Sequence, residues 1–122
     1  MKVAVTSQSN SLESEIDPRF GRCSYFLIIE TDTMNFESIS NESAMSSGGA
    51  GIQAAQTIAK TGVKVVVTGN MGPNAFQTLS AAGIKIFTGA NGTIKEAIEK
   101  YKKGELKESE APNVGSHSGM RR

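Results

Sequence analysis

Three times between residues 50 and 104, apolar residues at helical spacing run into a glycine. Ile52, Ala55, Ile58 and Ala59 precede Gly62, Phe76 and Leu79 precede Gly83, and Ile94, Ala97, Ile98 and Tyr101 precede Gly104. Residues three and four apart share a helix face, and glycine readily takes the left-handed conformation that ends a helix. The spacing predicts helices from about Ala50 to Lys60, from Pro73 to before Gly83, and from about Ile94 to before Gly104. Pro73 suits a first turn, where its missing N–H costs nothing, and Thr93 suits an N-cap. Between them, Val63-Lys64-Val65-Val66-Val67 is almost continuously β-branched, the pattern of a central strand covered on both faces, and Ile84-Lys85-Ile86-Phe87 returns as a shorter strand.

The chain begins differently. Val3 and Val5 open a strand, and the polar stretch from Ser7 to Arg22, with a turn at Asp17-Pro18-Arg19, reads as a long loop. Tyr25-Phe26-Leu27-Ile28-Ile29 is a second strand, and Phe36 to Ser40, after a polar turn, a weaker third. Strands that start as an antiparallel pair and continue through helical crossovers predict a mixed sheet flanked by helices, an α/β domain. With 122 residues there is room for one such core. The expected organisation is a domain over 1–104 and a flexible tail over 105–122, where apolar periodicity stops and charged, then Gly- and Ser-rich sequence follows.

Composition excludes some functions. Thirteen Lys and Arg against twelve Asp and Glu leave a formal net charge of +1, too little field to argue for nucleic acid or an anionic membrane. No apolar run approaches the roughly 20 residues of a membrane span, and no secretory leader pattern opens the chain. A single cysteine, Cys23, excludes an internal disulfide and suits a reducing compartment, so a cytoplasmic location is expected.

If the strands preceding the three helices run parallel, three glycine-bearing turns gather at one end of the sheet. They hold Gly48, Gly49 and Gly51, then Gly69, Asn70 and Gly72, then Gly89 and Gly92. The long loop after the first strand joins them there. Each helix N-terminus presents unpaired N–H groups and the positive end of a dipole, so this end of the sheet is expected to receive an anion. A phosphate, a carboxylate and an anionic sulfide cluster all satisfy that geometry. The turns match neither the G-x-x-x-x-G-K-[ST] loop nor the G-x-G-x-x-G fingerprint, and each taken singly reads as a tight turn.

Cys23 follows Arg19 and Arg22, cations that favour thiolate, so it reads either as a metal ligand or reactive thiol, or as a small buried hydrophobe at a strand start. One cysteine cannot supply the four thiolates of an ordinary iron–sulfur site. His117, in Gly115-Ser116-His117-Ser118-Gly119-Met120, reads either as a mobile second ligand or as a tail histidine that binds nothing. Asp17 and Glu30 suit a turn and a strand end, and Met34, Met45 and Met71 suit irregular gaps. No acid–base or nucleophile pair stands out, so no enzyme is expected.

In combination, Asp17-Pro18-Arg19-Phe20-Gly21-Arg22, Tyr25-Phe26, Gly48-Gly49-Ala50-Gly51-Ile52-Gln53-Ala54-Ala55, Thr68-Gly69-Asn70-Met71-Gly72-Pro73-Asn74-Ala75-Phe76 and Pro112-Asn113-Val114-Gly115-Ser116-His117 resemble the dinitrogenase iron-molybdenum cofactor biosynthesis family over nearly the whole chain. The resemblance implies a ribonuclease H-like three-layer domain, with a mixed, mainly parallel five-stranded sheet and three helices. It implies binding of iron–sulfur or molybdenum-containing cluster precursors, and the leading expectation is non-enzymatic binding or carriage of an iron–sulfur or iron-molybdenum-type cluster, exchanged with donor or acceptor proteins by a monomer or weak homodimer. The cluster would be held by Arg19, Phe20, Gly21, Arg22, Cys23 and the glycine turns, with Cys23 and His117 as metal ligands. A small-molecule or phosphate-binding regulatory module is the alternative. Nitrogenase-associated members often carry histidine where this chain has Arg19, and a guanidinium donates hydrogen bonds rather than ligating metal.

Overall fold

The computed structural model describes residues 1–45 and 48–112. Five strands form one sheet: β1 (Lys2–Ser7), β2 (Tyr25–Glu30), β3 (Phe36–Ser40), β4 (Val65–Val67) and β5 (Lys85–Phe87). The helices are α1 (Ala50–Ala59), α2 (Pro73–Ala81) and α3 (Ile94–Lys102). Strand order is β3-β2-β1-β4-β5. β1 pairs antiparallel with β2 and β2 with β3, whereas β1 pairs parallel with β4 and β4 with β5. The sheet is therefore evenly mixed rather than mainly parallel, because the β1-β2-β3 meander contributes as many pairings as the two crossovers.

The period-two alternation of the strands sorts their side chains onto two cores. Ala4, Phe26, Ile28 and Val66 point to one face and pack against Ala54, Ala55 and Ile58 of α1 and Leu79 of α2. Val3, Val5, Leu27, Ile29, Val65 and Val67 point to the other and pack against Ile94, Ala97 and Ile98 of α3. Three layers result, with β1 and β4 buried along both faces. The expected helix stops all occur, with Gly62, Gly83 and Gly104 at φ of 84°, 79° and 75°. α3 also starts on a full capping box: the Thr93 hydroxyl accepts from the Glu96 N–H while the Glu96 carboxylate accepts from the Thr93 N–H.

Between Gly104 and residue 112 the chain lies along the sheet edge and α3. Ser109 N–H donates to the Ile86 carbonyl at 2.7 Å, Glu108 bridges to Phe87, and Leu106 packs against the α3-side core. β5 is an edge strand, and its unpaired backbone groups give this polar segment partners that periodicity does not reveal.

Candidate functional site

The loop leaving β1 is tied down along its length. The Asp17 N–H donates to the Thr6 carbonyl at 3.0 Å, and the buried Thr6 hydroxyl lies 2.6 Å from the Asp17 carbonyl and 2.8 Å from the Thr68 hydroxyl. Beyond Pro18 the loop runs beside the end of β4, where Asn70 N–H donates to the Pro18 carbonyl at 2.7 Å and Phe20 N–H to the Asn70 carbonyl at 3.3 Å. Phe20 then drops into the core and packs tilted against Phe26, with ring centroids 5.3 Å apart and planes at 54°. Gly21 presses against the first turn of α1 so closely that a Cβ there would lie 2.9 Å from both the Cα and the N of Gly51. Only a residue without a side chain admits that approach.

These contacts enclose an open cavity of about 420 Å³ with three walls. One is Arg19-Phe20-Gly21-Arg22, the second Gly49-Ala50-Gly51-Ile52, and the third runs from Asn70 through Met71, Gly72, Pro73 and Asn74 to Ala75. The second and third are the N-terminal turns of α1 and α2, neither of which has a side-chain cap. Their intrahelical bonds begin only with Gln53 N–H to Gly49 and Phe76 N–H to Gly72. The N–H groups of Gly51, Ile52, Asn74 and Ala75 find no acceptor among the described residues. Two helix dipoles and two arginines thus surround a cavity whose lining, among the described residues, contains no carboxylate, cysteine or histidine.

The arginines are held differently. Arg19 forms a fork on Asp17, with Nε 3.1 Å from Oδ1 and Nη2 3.1 Å from Oδ2, and this hydrogen bond and charge raise its already high pKa. Arg22 is exposed and donates from Nη1 to the Ala44 carbonyl at 2.7 Å.

Other expected site residues lie elsewhere. Cys23 does not line the cavity; it is fully buried beneath it, with Sγ 3.4 Å from the Phe20 carbonyl and 3.8 Å from the Asn41 Nδ2. Burial, followed by the Asp17 charge, pushes its thiol up to about 12, opposite to the shift expected from nearby arginines. Gly69 packs under Pro18 and Gly48 is exposed outside the lining. Gly89 and Gly92 serve another end of the loop. Gly89 N–H donates to the Gly69 carbonyl, the Gly92 carbonyl accepts from Ile16, and the first N–H groups of α3, on Ile94 and Lys95, donate to the Ser14 and Leu12 carbonyls. With Thr93 taking the Glu96 N–H, the α3 terminus is consumed by the β1 loop and presents nothing to an anion. His117 lies outside the described residues. Conversely, Ala50, Ile52, Met71, Pro73, Asn74 and Ala75 line the cavity unforeseen, although continuing each glycine turn into its first helical turn would have reached most of them.

The family model described as "Dinitrogenase iron-molybdenum cofactor" matches residues 1–104. The chain belongs to that family. Among solved structures, the apo form of the orange protein from Desulfovibrio gigas is similar at a TM-score of 0.89 and 40% identity, over 92% of this chain and 95% of that one. A NifB candidate from Thermotoga reaches 0.77 at 36% identity over 88% and 91%. An uncharacterized protein of Methanocaldococcus jannaschii is 32% identical over 113 residues, 90% of this chain and 92% of its own. The family associates this fold with a metal cluster. Among the described residues no three His, Cys, Asp or Glu side chains converge to hold a metal ion, and no helix is long and apolar enough to cross a membrane.

Proposed function

We propose that this protein carries an anionic iron–sulfur or iron-molybdenum-type cluster, or its precursor, and holds it by hydrogen bonds, charge and shape instead of by ligand bonds to the metal. The observation that carries this reading is the cavity lining, in which two arginines and the open N–H groups of α1 and α2 meet, with no thiol, imidazole or carboxylate among the described residues. Cluster sulfides and oxo groups on such a cargo accept hydrogen bonds from these donors, and Phe20, Ile52 and Met71 supply a soft apolar surround. A volume of about 420 Å³ falls within the range of about 300–1,000 Å³ usual for ligand pockets, well above the room a single small oxyanion fills. The resemblance to a protein solved as an apo form supports a chain that exists loaded and unloaded.

Among the described residues the lining offers no acid–base pair, which supports a carrier over a catalyst. A carrier must release its cargo, and bonds of this kind exchange without breaking a metal–protein bond. Donor and acceptor proteins in the cytoplasm, served by a monomer or weak homodimer, complete the reading. The 3-2-1-4-5 strand order with β2 antiparallel supports a ribonuclease H-like assignment. Cys23, buried beneath the cavity, is not required for retention.

The test is anaerobic incubation with iron, sulfide and molybdate, then gel filtration with metal analysis and an absorption spectrum. Stoichiometric co-eluting metal with sulfide-to-metal bands, retained in Cys23→Ser and weakened as salt screens the cavity, is the expected result. Metal-free protein that instead binds inorganic phosphate at the same helix ends would replace the carrier with a phosphate-binding module.

A further inference from the structure

Asp17 has a buried carboxylate, 3% exposed, yet sits in a polar loop and is not part of the cavity's lining. Burying a carboxylate is costly unless its oxygens are satisfied. Here Oδ1 accepts from the Arg19 backbone N–H at 3.0 Å and from Nε at 3.1 Å, and Oδ2 accepts from Nη2 at 3.1 Å. The residue is itself bolted to the sheet through its backbone N–H and carbonyl, both bonded to Thr6 of β1. Arg19, by contrast, is 62% exposed in its side chain and lines the cavity. A guanidinium has five N–H donors; the fork on Asp17 uses two, leaving three on the outer edge. A chain of fixed contacts thus runs from β1 through Asp17 to a guanidinium at the cavity wall.

We propose that Asp17 is a positioning residue for the cavity, holding Arg19 as a preset donor fork at the price of one cancelled positive charge. This rests on the reading of the cavity as the cargo site. An exposed arginine otherwise samples many rotamers, and binding must then spend side-chain entropy to hold one. Asp17 removes this cost before the cargo arrives and fixes the direction of the planar donor edge. Net charge alone predicts the opposite role: a carboxylate beside an anion site weakens attraction, so removing it should tighten binding.

The opposite signs make the test decisive. Tetrathiomolybdate, a coloured molybdenum–sulfide dianion, is titrated by equilibrium dialysis with molybdenum analysis against wild type, Asp17→Asn, Arg19→Gln and the double variant. Asp17→Asn is expected to weaken binding about tenfold when Arg19 is present, and by less than about twofold in the Arg19→Gln background. The Arg19 Nε–H resonance is expected to exchange slowly in the wild type, protected by Asp17, and to be lost in Asp17→Asn. Binding by Asp17→Asn as tight as or tighter than wild type, or equal loss in both backgrounds, overturns the proposal. If Asp17→Asn does not fold, Arg19→Lys decides: it keeps the charge without the fork at an exposed position, so a loss of about tenfold is expected and wild-type affinity overturns the proposal. A wild type that retains no probe brings down the cargo site and this inference together, whereas a binding wild type without coupling removes Asp17 alone.

Discussion

Replacing Gly21 with alanine puts a methyl group into space already filled by backbone. The new Cβ would lie 2.9 Å from both N and Cα of Gly51 and 3.3 Å from the Ala50 carbonyl carbon, where ordinary contact begins at 3.4 Å. These are atoms of the first turn of α1, which cannot rotate aside as a side chain can. The Arg19–Arg22 segment must therefore lift from α1 by roughly 0.5 Å. Overpacking of this kind costs about 1–3 kcal/mol. At roughly 4 °C per kcal/mol for a chain of this size, the melting temperature falls by about 4–12 °C. Gly21 does not have a positive φ, so the penalty comes from contact and not from backbone conformation. Gly48→Ala is the matched control, because a Cβ there meets nothing within 4 Å and its φ is also ordinary. Thermal and urea unfolding of both variants, with cluster retention measured beside them, should show Gly21→Ala destabilised and weak in retention and Gly48→Ala close to wild type. A Gly21→Ala protein with native stability and native retention would refute the close-packed wall.

Cys23 makes a prediction in pH. Its folded thiol is held up at about 12, above its ordinary value, so its contribution to stability is complete below about pH 8.5 and is lost as pH rises towards 12. Unfolding free energy should decline by up to about 1.4 kcal/mol per pH unit across that interval, less in Cys23→Ala, and an identical alkaline profile for the two proteins would sink the assignment. At α3, Thr93→Ala removes the capping box and should cost about 1 kcal/mol by denaturant unfolding. Cluster retention should be unchanged there, since that helix end faces the β1 loop, and a retention defect at native stability would return the third glycine turn to the site.

Periodicity carries information about elements that bury one face, and here it was sufficient for the three helices, whereas β-branched and aromatic runs marked the strands. α2 begins at Pro73 as expected and α1 ends one residue short of Lys60. The evenly mixed pairing was less legible, because strand direction depends on which neighbours meet. The cavity was legible where glycine marks close approach, at Gly21, Gly49, Gly51 and Gly72. It was misread at Gly89 and Gly92 because nothing local reveals that residues 12–16 fold back to occupy the α3 terminus. Cys23 was open to two readings because neighbouring arginines in sequence say nothing of burial; Arg19 turns to Asp17 and Arg22 to Ala44, leaving the thiol to the core. The bidentate Asp17–Arg19 pair lies two residues apart, yet at a turn before proline that acid looks like ordinary turn chemistry.

The wall formed by residues 19–22 rests on Asn70 and on the first turn of α1, both later in the chain. During synthesis the loop emerges from the ribosome long before its supports, and β1 must wait some sixty residues for its parallel partner, Val65–Val67. The cavity is therefore assembled only once α1 and Asn70 are in place. On the carrier reading proposed above, loading belongs to the finished protein, and a cluster donor would recognise a completed fold instead of a growing one.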